Sequence, residues 1–160
     1  DIIREKCLSH GLPTDINILD LRNNAIKTIE PLAFKALYVL KSLDLSKNKI
    51  SSLEKIVFRD LKDLKALNLS SNLLYIIKSD LFMNLKSLLI LDLSLNFIKS
   101  IDDFSFQSLI YLETLNLNDN NFTNITNLTL LDLNSIKNVL ISPEVFPNFP
   151  SLSYAKNSLK

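Results

Sequence analysis

Histidine and cysteine, two residue types used often in acid–base and nucleophilic catalysis, are scarce in this chain. It contains one histidine, His10, and one cysteine, Cys7, and neither lies in a motif that would pair it with a second catalytic group. A single glycine cannot form a glycine-rich loop around a phosphate. We therefore predict a protein that is not an enzyme, has no catalytic residue and takes no cofactor. Cys7 is open to two interpretations: a small buried apolar residue, or half of a disulfide whose partner lies outside this sequence.

Acidic residues recur between pairs of leucines and could form a metal site. The aspartates of this series are Asp20, Asp44, Asp92 and Asp132, and Asn68 and Asn116 take the same place in other units. Stacked carboxylates are hard oxygen ligands of the kind that Ca²⁺ prefers. Because asparagine interrupts the series and no other metal-ligand spacing accompanies it, we interpret the column as structural and predict no metal site.

Four Asn-x-Ser/Thr triplets mark candidate N-glycosylation sites, at Asn68, Asn121, Asn124 and Asn127. The number is close to what this composition produces by chance, so the count alone does not indicate a compartment. Three of the triplets follow one another without interruption in NFTNITNLT, within what reads as an exposed turn. This clustering favours a secreted, glycosylated chain.

The composition is that of a folded chain without a strong electrostatic preference. The 160 residues are 47% hydrophobic and 22% charged, with a formal net charge of +1, which is typical of a domain that buries a core. A small net charge without blocks of like charge argues against nucleic-acid binding and against a basic membrane-binding face. No apolar run approaches the roughly 18 residues of a membrane span, so we predict no membrane insertion by this segment.

The strongest feature of the sequence is an internal repeat of 24 residues. Its pattern is L-x-x-L-x-L-x-x-N-x-(I/L)-x-x-(I/L)-x-x-x-x-F-x-x-L-x-x, and four successive units follow it, at residues 16–39, 40–63, 64–87 and 88–111. A repeat of this length indicates a solenoid, because one unit cannot bury its apolar side without neighbours. We interpret residues 1–15 as a partial N-terminal cap.

The period becomes ambiguous after the fourth unit. Keeping 24 residues places Leu130 at the phenylalanine position and begins the next unit at Ile136. Restarting at Leu128 aligns more leucines, and Phe146, with the pattern, and we prefer this register. It predicts a short fifth unit at 112–127, a sixth at 128–151 and the start of a truncated repeat at 152–160, as in a segment of a longer array.

The recurring positions predict how one unit packs on the next. In L-x-L the two leucines face one side of a short strand, so strands such as Ser42–Asp44 and Ala66–Asn68 should form a parallel sheet with neighbours about 4.8 Å apart. Amide side chains donate and accept hydrogen bonds, which suits asparagine to satisfying main-chain groups in the turn after each strand. The asparagine column is Asn24, Asn48, Asn72, Asn96 and Asn120, and the phenylalanine column of the outer side is Phe34, Phe58, Phe82, Phe106 and Phe146.

These units resemble the leucine-rich repeat family over most of the chain. A 24-residue unit with a phenylalanine column is similar to the class found in extracellular animal proteins, among them Toll-like receptor ectodomains, variable lymphocyte receptors of jawless fish and small matrix proteoglycans. The opening GLPTDINILDL is also similar to the start of the first repeat in Toll-like receptors. The resemblance implies an α/β-type solenoid: a curved horseshoe segment with a parallel β-sheet on its concave face, an irregular or 3-10 convex side and an extracellular location.

Two functions are compatible with such a chain. One is a segment of a ligand-sensing, Toll-like receptor ectodomain of innate immunity, in which binding brings two receptor chains together. The other is an adhesion or extracellular-matrix protein whose repeats form a scaffold. In either, a protein or other macromolecular ligand would bind the concave face or the rim of the repeats. The irregular fifth unit and the Leu-Pro before the first repeat favour the receptor.

One group of apolar residues interrupts the polar turns that follow the strands. Leu73 and Phe97 occupy the same position in successive units, and Leu95 lies two residues before Phe97. Contiguous exposed apolar area marks an interface, whereas scattered exposed apolar residues are ordinary, and the sequence leaves both interpretations open. The candidate binding residues are Leu73, Tyr75, Ile90, Leu95 and Phe97, with Lys47 and Lys49 as a charged flank.

Overall fold

The computed structural model describes residues 2–3, 14–123, 125–126, 129–130 and 133–142. This part of the chain contains short β-strands and turns, and no α-helix. The strands are β1 (Ile2–Ile3), β2 (Ile18–Asp20), β3 (Thr28–Ile29), β4 (Ser42–Asp44), β5 (Ala66–Asn68), β6 (Ile76–Ile77), β7 (Ile90–Asp92), β8 (Ser100–Ile101), β9 (Thr114–Asn116) and β10 (Asn138–Leu140). None exceeds three residues, as expected where each unit supplies a single L-x-L.

Six strands form one parallel sheet in the order β2-β4-β5-β7-β9-β10. Each residue pairs with the residue 24 positions further on, as in Leu43↔Leu67 and Leu67↔Leu91. The middle side chains of β4, β5, β7 and β9 are buried leucines, so every strand contributes its apolar face to one continuous core. The predicted parallel-strand solenoid is confirmed.

Two smaller parallel pairs lie outside this sheet. In β1 and β3, Ile2 pairs with Thr28 and Ile3 with Ile29, which places the start of the predicted cap against the first unit. In β6 and β8, Ile76 pairs with Ser100. Cys7 and His10 lie outside the described residues, so both interpretations of Cys7 stand as predictions.

The strand beside β9 corrects the predicted short fifth unit. β10 pairs with β9 through Asn138↔Thr114, and 138 − 114 = 24, so the period of the earlier units continues. A restart at Leu128 would have placed the next strand near Leu130, and that prediction is wrong. Leu130 instead packs against the core at the position that phenylalanine holds in the earlier units.

The side chains around β10 explain why the chain keeps the 24-residue register instead of restarting at Leu128. Ile136 packs against the core, and Val139 and Ile141 are buried, at the positions that Leu112, Leu115 and Leu117 hold in the preceding unit. Valine and isoleucine are β-branched and suit a strand at least as well as leucine does. Phe146 lies outside the described residues, as does the predicted truncated repeat at 152–160.

A column of phenylalanine rings fills the outer half of the core. Phe34, Phe58, Phe82 and Phe106 are at most 2% exposed. Neighbouring rings are stacked with centroids 6.0–6.3 Å apart and planes within 16° of each other. Because the rings come from successive units, their spacing also measures how far apart the units lie on this side.

From each of these rings the chain returns to the next strand through a return segment of eight residues. The four return segments are residues 34–41, 58–65, 82–89 and 106–113. Their turns are closed by hydrogen bonds between residues three apart: the Leu61 N–H donates to the Phe58 carbonyl at 3.2 Å, and the Leu64 N–H donates to the Leu61 carbonyl at 3.3 Å. Single bonds of this type close turns, and the four segments are turns without a regular helix, in keeping with the irregular outer side that the family resemblance implied.

Candidate recognition surfaces

The asparagine after each strand organises the loop that holds the candidate binding residues. The Asn72 side chain is 2% exposed, its Nδ2 donates to the carbonyls of Leu45 at 3.0 Å and Leu69 at 3.1 Å, and its Oδ1 accepts from the Ile50 N–H at 3.0 Å. Asn48, Asn96 and Asn120 make the equivalent bonds. Each amide therefore ties its own loop to the loop of the preceding unit, and the loops follow one another in register.

Asn24 lies at the end of this column and differs from the others. It is exposed, and its Nδ2 donates to the Arg22 carbonyl at 3.1 Å. Its own N–H donates to the Oδ1 of Asn48 at 3.0 Å. Asn24 is thus held by the column without joining two loops itself.

The residue before each of these asparagines has a positive φ. The values are 59° at Asn23, 54° at Lys47, 54° at Ser71, 53° at Leu95 and 54° at Asp119. The left-handed region is unfavourable for side chains other than glycine, with asparagine and aspartate tolerated best. The loop geometry therefore imposes this conformation on Lys47 and Leu95, and both side chains remain exposed.

Four of the candidate binding residues lie together on two neighbouring loops, and we call Leu73, Tyr75, Leu95 and Phe97 the loop patch. Their side chains are 43%, 46%, 54% and 50% exposed, respectively. The Phe97 N–H donates to the Leu74 carbonyl at 3.0 Å, and the Lys99 N–H donates to the Tyr75 carbonyl at 2.9 Å. These bonds hold the two loop backbones side by side.

Polar residues bound the loop patch on both sides along the stack. The Leu73 N–H donates to Ile50 and the Asn121 N–H donates to Ile98, so the row through Leu73 and Phe97 continues to Lys49 on one side and Asn121 on the other. Lys47 and Lys49 are exposed. The Lys99 ammonium lies over the Tyr75 ring, 5.0 Å from its centroid. The apolar area is therefore confined to the third and fourth units.

Ile90 does not lie on these loops. It is 49% exposed but lies in the main sheet, between Ala66 on one side and Thr114 on the other. Sequence reasoning missed Ile76, which is 47% exposed directly after Tyr75. A signal for it was present, because the same position reads Thr28, Ser52 and Ser100 in the other units.

Comparison with known families gives two matches. One is to the leucine rich repeat over residues 14–74, and the other is to the BspA type leucine rich repeat region over residues 62–160. The second alone covers more than half of the chain. The chain belongs to the leucine-rich repeat family. The leucine-rich repeat fold is typically non-catalytic.

Solved structures of other repeat proteins share the fold. The chain in a TLR13–ssRNA13 complex is 30% identical with a TM-score of 0.77, covering 86% of this chain and 19% of that one. The APL1 leucine-rich repeat domain is 26% identical with a TM-score of 0.80, covering 88% and 36%. A chain of the Toll–Spatzle complex, described as a hub in Drosophila development and innate immunity, is 26% identical with a TM-score of 0.61, covering 80% and 21%.

This leucine-rich repeat chain thus spans only a minor part of the chains to which it is similar. A search of curated proteins found no match. In the described residues no helix is long and apolar enough to cross a membrane.

Apart from the exposed Ile18 and Ile90, the described sheet face is mostly polar, and several of its polar side chains hydrogen-bond to one another. The Asn68 Nδ2 donates to an Asp44 carboxylate oxygen at 3.4 Å. Arg22 pairs with Asp20 at 2.6 Å and holds the pKa of that carboxyl below its usual value, chiefly through the side-chain hydrogen bond. Among the described residues, no group of three or more His, Cys, Asp or Glu is arranged to hold a metal ion.

The candidate glycosylation sites differ in their surroundings. Asn121 is exposed. Asn68 is half-buried in the sheet, where its Oδ1 accepts from the Ser70 N–H at 3.0 Å and from the Ser70 hydroxyl at 2.8 Å. Asn124 and Asn127 lie outside the described residues. Of the two described sites, Asn121 has the side chain that is free of the sheet.

Proposed function

We propose that this chain is a segment of an extracellular, ligand-sensing receptor ectodomain of the Toll-like kind, and that its loop patch binds a macromolecular partner. The observation that carries the proposal is the exposure of Leu73, Leu95 and Phe97 on adjoining loops held in register. The partner favoured for a first test is a second copy of the chain, since a receptor of this kind acts by bringing two chains together.

The loop patch has the composition of an interface centre. A few residues, enriched in Trp, Tyr and Arg, supply most of the binding energy at protein interfaces, and Phe is also enriched in interface cores. Phe97 and Tyr75 are the aromatic residues, Leu73 and Leu95 flank them, and the lysines at positions 47 and 49 form a charged edge. Phe97 is the expected anchor because half of its side chain is still available for burial by a partner.

The similar structures support binding of a macromolecule by this kind of fold. They include a complex with ssRNA13, a complex with Spatzle and the LRIM1/APL1C complex. Between them the ligands are RNA and protein, so the comparisons support macromolecular recognition in general. The choice of a Toll-like receptor over a matrix scaffold rests on the Leu-Pro before the first repeat, since the regular pairing of β10 removes the irregular fifth unit as an argument.

The direct test is Phe97→Asp, with sedimentation velocity of the purified chain over a range of concentrations. We expect the unsubstituted chain to associate with itself and the variant to stay monomeric with a nearly unchanged melting temperature. Tyr111→Asp is the matched control, because Tyr111 is 57% exposed and lies outside the loop patch. An unsubstituted chain that stays monomeric throughout, or a Phe97→Asp variant that unfolds, would refute the proposed interface.

The alternative function, an adhesion or matrix scaffold, can be distinguished from the receptor by the full-length sequence. A membrane span and a signalling domain downstream of Lys160 would support the receptor. Paired-cysteine caps at both ends of the array without a membrane span would support the scaffold. Sequencing the complete transcript decides between them independently of the association experiment.

A further inference from the structure

In the return segments, buried side chains recur at every third residue, so the side chains between them lie on other sides of the segment. In residues 58–65, Phe58, Leu61 and Leu64 are buried and are linked by hydrogen bonds between residues three apart. Burial at every third position shows that side chains three apart lie on the same side of the segment. The residues that directly follow the buried ones therefore form a second series on a common side of the segment.

This second series is basic in the first three units. Its nine positions carry six exposed cations and no acid. We call the six cations the basic face; they are Lys35 and Lys41 in the first unit, Arg59, Lys62 and Lys65 in the second, and Lys86 in the third. The remaining three positions hold Tyr38, Met83 and Leu89, and the series changes character in the fourth unit to Gln107, Ile110 and Glu113.

The register of the stack brings these cations together across units. The Lys62 ammonium lies over the Tyr38 ring of the preceding unit, 5.9 Å from its centroid. The Lys65 N–H donates to the Lys41 carbonyl at 2.8 Å. The phenylalanine rings at the start of the same segments are 6.3 Å apart. Lys62 and Lys86 hold equivalent positions in adjoining units, so the rows of cations follow one another at about this spacing.

The charge of the basic face is largely uncompensated by its surroundings. Arg59 pairs with Asp60 at 3.3 Å, and a second Asp60 oxygen accepts from the Ala36 N–H at 3.0 Å. Among the described residues, the five lysines form no ion pair, and Asp63 is the other acid within these return segments. Like charges held close together favour a partner that neutralises several of them at once.

We propose that the basic face binds a linear sulfated polysaccharide lying across the first three units. A flexible polyanion of this kind presents closely spaced negative charges along one line, and the rows of the basic face present closely spaced positive charges along the stack. The face lies on the return segments, whereas the loop patch lies on the loops that leave the strands, so the two sites are separate. This binding rests on the extracellular location proposed above but not on the receptor function, and the heparin titration fails or succeeds independently of the association experiment.

The residue types favour a sulfated polysaccharide over a nucleic acid. Five of the six cations are lysines, which act as point charges toward sulfates and phosphates alike. The aromatic content decides between them, because single-stranded nucleic acids are bound with aromatic rings on which successive bases stack. Tyr38 is the aromatic residue of this series in the first three units, and Lys62 lies over its ring.

Heparin is the probe, measured by titration calorimetry or surface plasmon resonance at several salt concentrations. The test variant is Lys62→Glu/Lys86→Glu, and the matched control is Lys27→Glu/Lys78→Glu, which changes the net charge equally at exposed lysines outside both the basic face and the loop patch. We expect the test variant to weaken heparin binding at least tenfold and to reduce its dependence on salt, because fewer counterions are displaced. The control should change the affinity less than threefold, and N-desulfated, O-desulfated heparin should not bind.

The proposal is overturned if both double variants weaken binding equally, since net charge alone would then explain it. It is also overturned if heparin does not bind, or if a single-stranded RNA of matched charge binds more tightly than heparin. Melting temperatures establish that both variants fold. Should Lys62→Glu/Lys86→Glu fail to fold, the neutral pair Lys62→Gln/Lys86→Gln replaces it, with at least a threefold loss expected.

Discussion

Phe58 and Phe82 stack with their ring centroids 6.3 Å apart and 11° between their planes. Phe82 continues the stack to Phe106 at 6.0 Å, and no part of its side chain is exposed. A ring in this position joins its own unit to both neighbours. Stability in a stacked repeat protein comes from such contacts between neighbours as well as from the units themselves.

We expect Phe82→Ala to lower the free energy of unfolding by about 3–5 kcal/mol, the usual cost of truncating a buried phenylalanine. The loss should extend beyond the third unit, because two stacking contacts disappear together. Urea unfolding followed by circular dichroism measures the change. Phe97→Ala is the control: it removes the same atoms from a half-exposed position and should cost less than about 1 kcal/mol. A Phe82→Ala cost below about 1 kcal/mol would mean that the ring is not part of the core.

The buried asparagine column supplies a second prediction. Asn72→Ala leaves the buried Ile50 N–H without its partner, while the Leu45 and Leu69 carbonyls each keep one amide donor, from Asn48 and Asn96. An unsatisfied buried polar group costs about 1–3 kcal/mol, so we expect a loss of about 1–3 kcal/mol in the free energy of unfolding. Thermal and urea unfolding measure it.

Asn24→Ala provides the comparison within the same column. Asn24 is exposed and its amide donates to Arg22 in its own loop, so its removal should cost less than about 0.5 kcal/mol. Equal costs at Asn24 and Asn72 would show that the column does not act by joining neighbouring loops.

The sequence predicted the features of the fold that recur with a single period. Apolar residues at every 24th position led directly to the sheet register, since parallel strands of identical units pair position by position. The register beyond β9 was misjudged because Leu128 and Ile136 both begin apolar triplets. Residue type alone does not determine which of the two triplets pairs with β9. In the structure the triplet that begins at Ile136 does so, with Val139 and Ile141 buried in the core.

The surfaces were harder to predict than the core. Leu73 and Phe97 are recognisable in the sequence because their position is small or polar in the neighbouring units. The sequence also grouped Ile90 with them, although Ile90 lies in the sheet between Ala66 and Thr114. The basic face was hidden by a formal net charge of +1, because acids elsewhere in the chain offset it. Only the three-residue period of the return segments shows that its cations share one side.

Glycosylation gives a third prediction. In a secreting eukaryotic cell we expect sugar at one or two of Asn121, Asn124 and Asn127, because three adjacent glycans would crowd one another. Asn121 is exposed and should be among them. Asn68 should stay largely unmodified, because a glycan there would displace its bonds to Asp44 and Ser70 on the sheet. Peptide mapping by mass spectrometry measures the occupancy of each site.

Two variants of Thr123 control the assignment at Asn121. Thr123→Ala removes the acceptor triplet, and Thr123→Ser preserves it. The peptide that contains Asn121 should lose its sugar only in the first. Heavy occupancy at Asn68 would count against any partner that covers the sheet face, and an unmodified Asn121 would contradict the prediction for the exposed site.

The left-handed conformation of Leu95 provides the last prediction. Its φ is 53°, a region that costs an ordinary side chain about 1–2 kcal/mol and that asparagine tolerates better. The side chain is 54% exposed, so little burial is lost when it is shortened. We therefore expect Leu95→Asn to raise the free energy of unfolding by about 0.5–1 kcal/mol, while weakening any association through the loop patch.

Leu73→Asn is the matched comparison, because Leu73 is 43% exposed in the neighbouring loop and, unlike Leu95, does not have a positive φ. It should lower the free energy of unfolding slightly, since it loses apolar contact without relieving the backbone. If both substitutions destabilise the chain equally in urea unfolding, the conformation at Leu95 carries no strain, and the loop accommodates leucine as readily as the asparagine and aspartate found at Asn23 and Asp119.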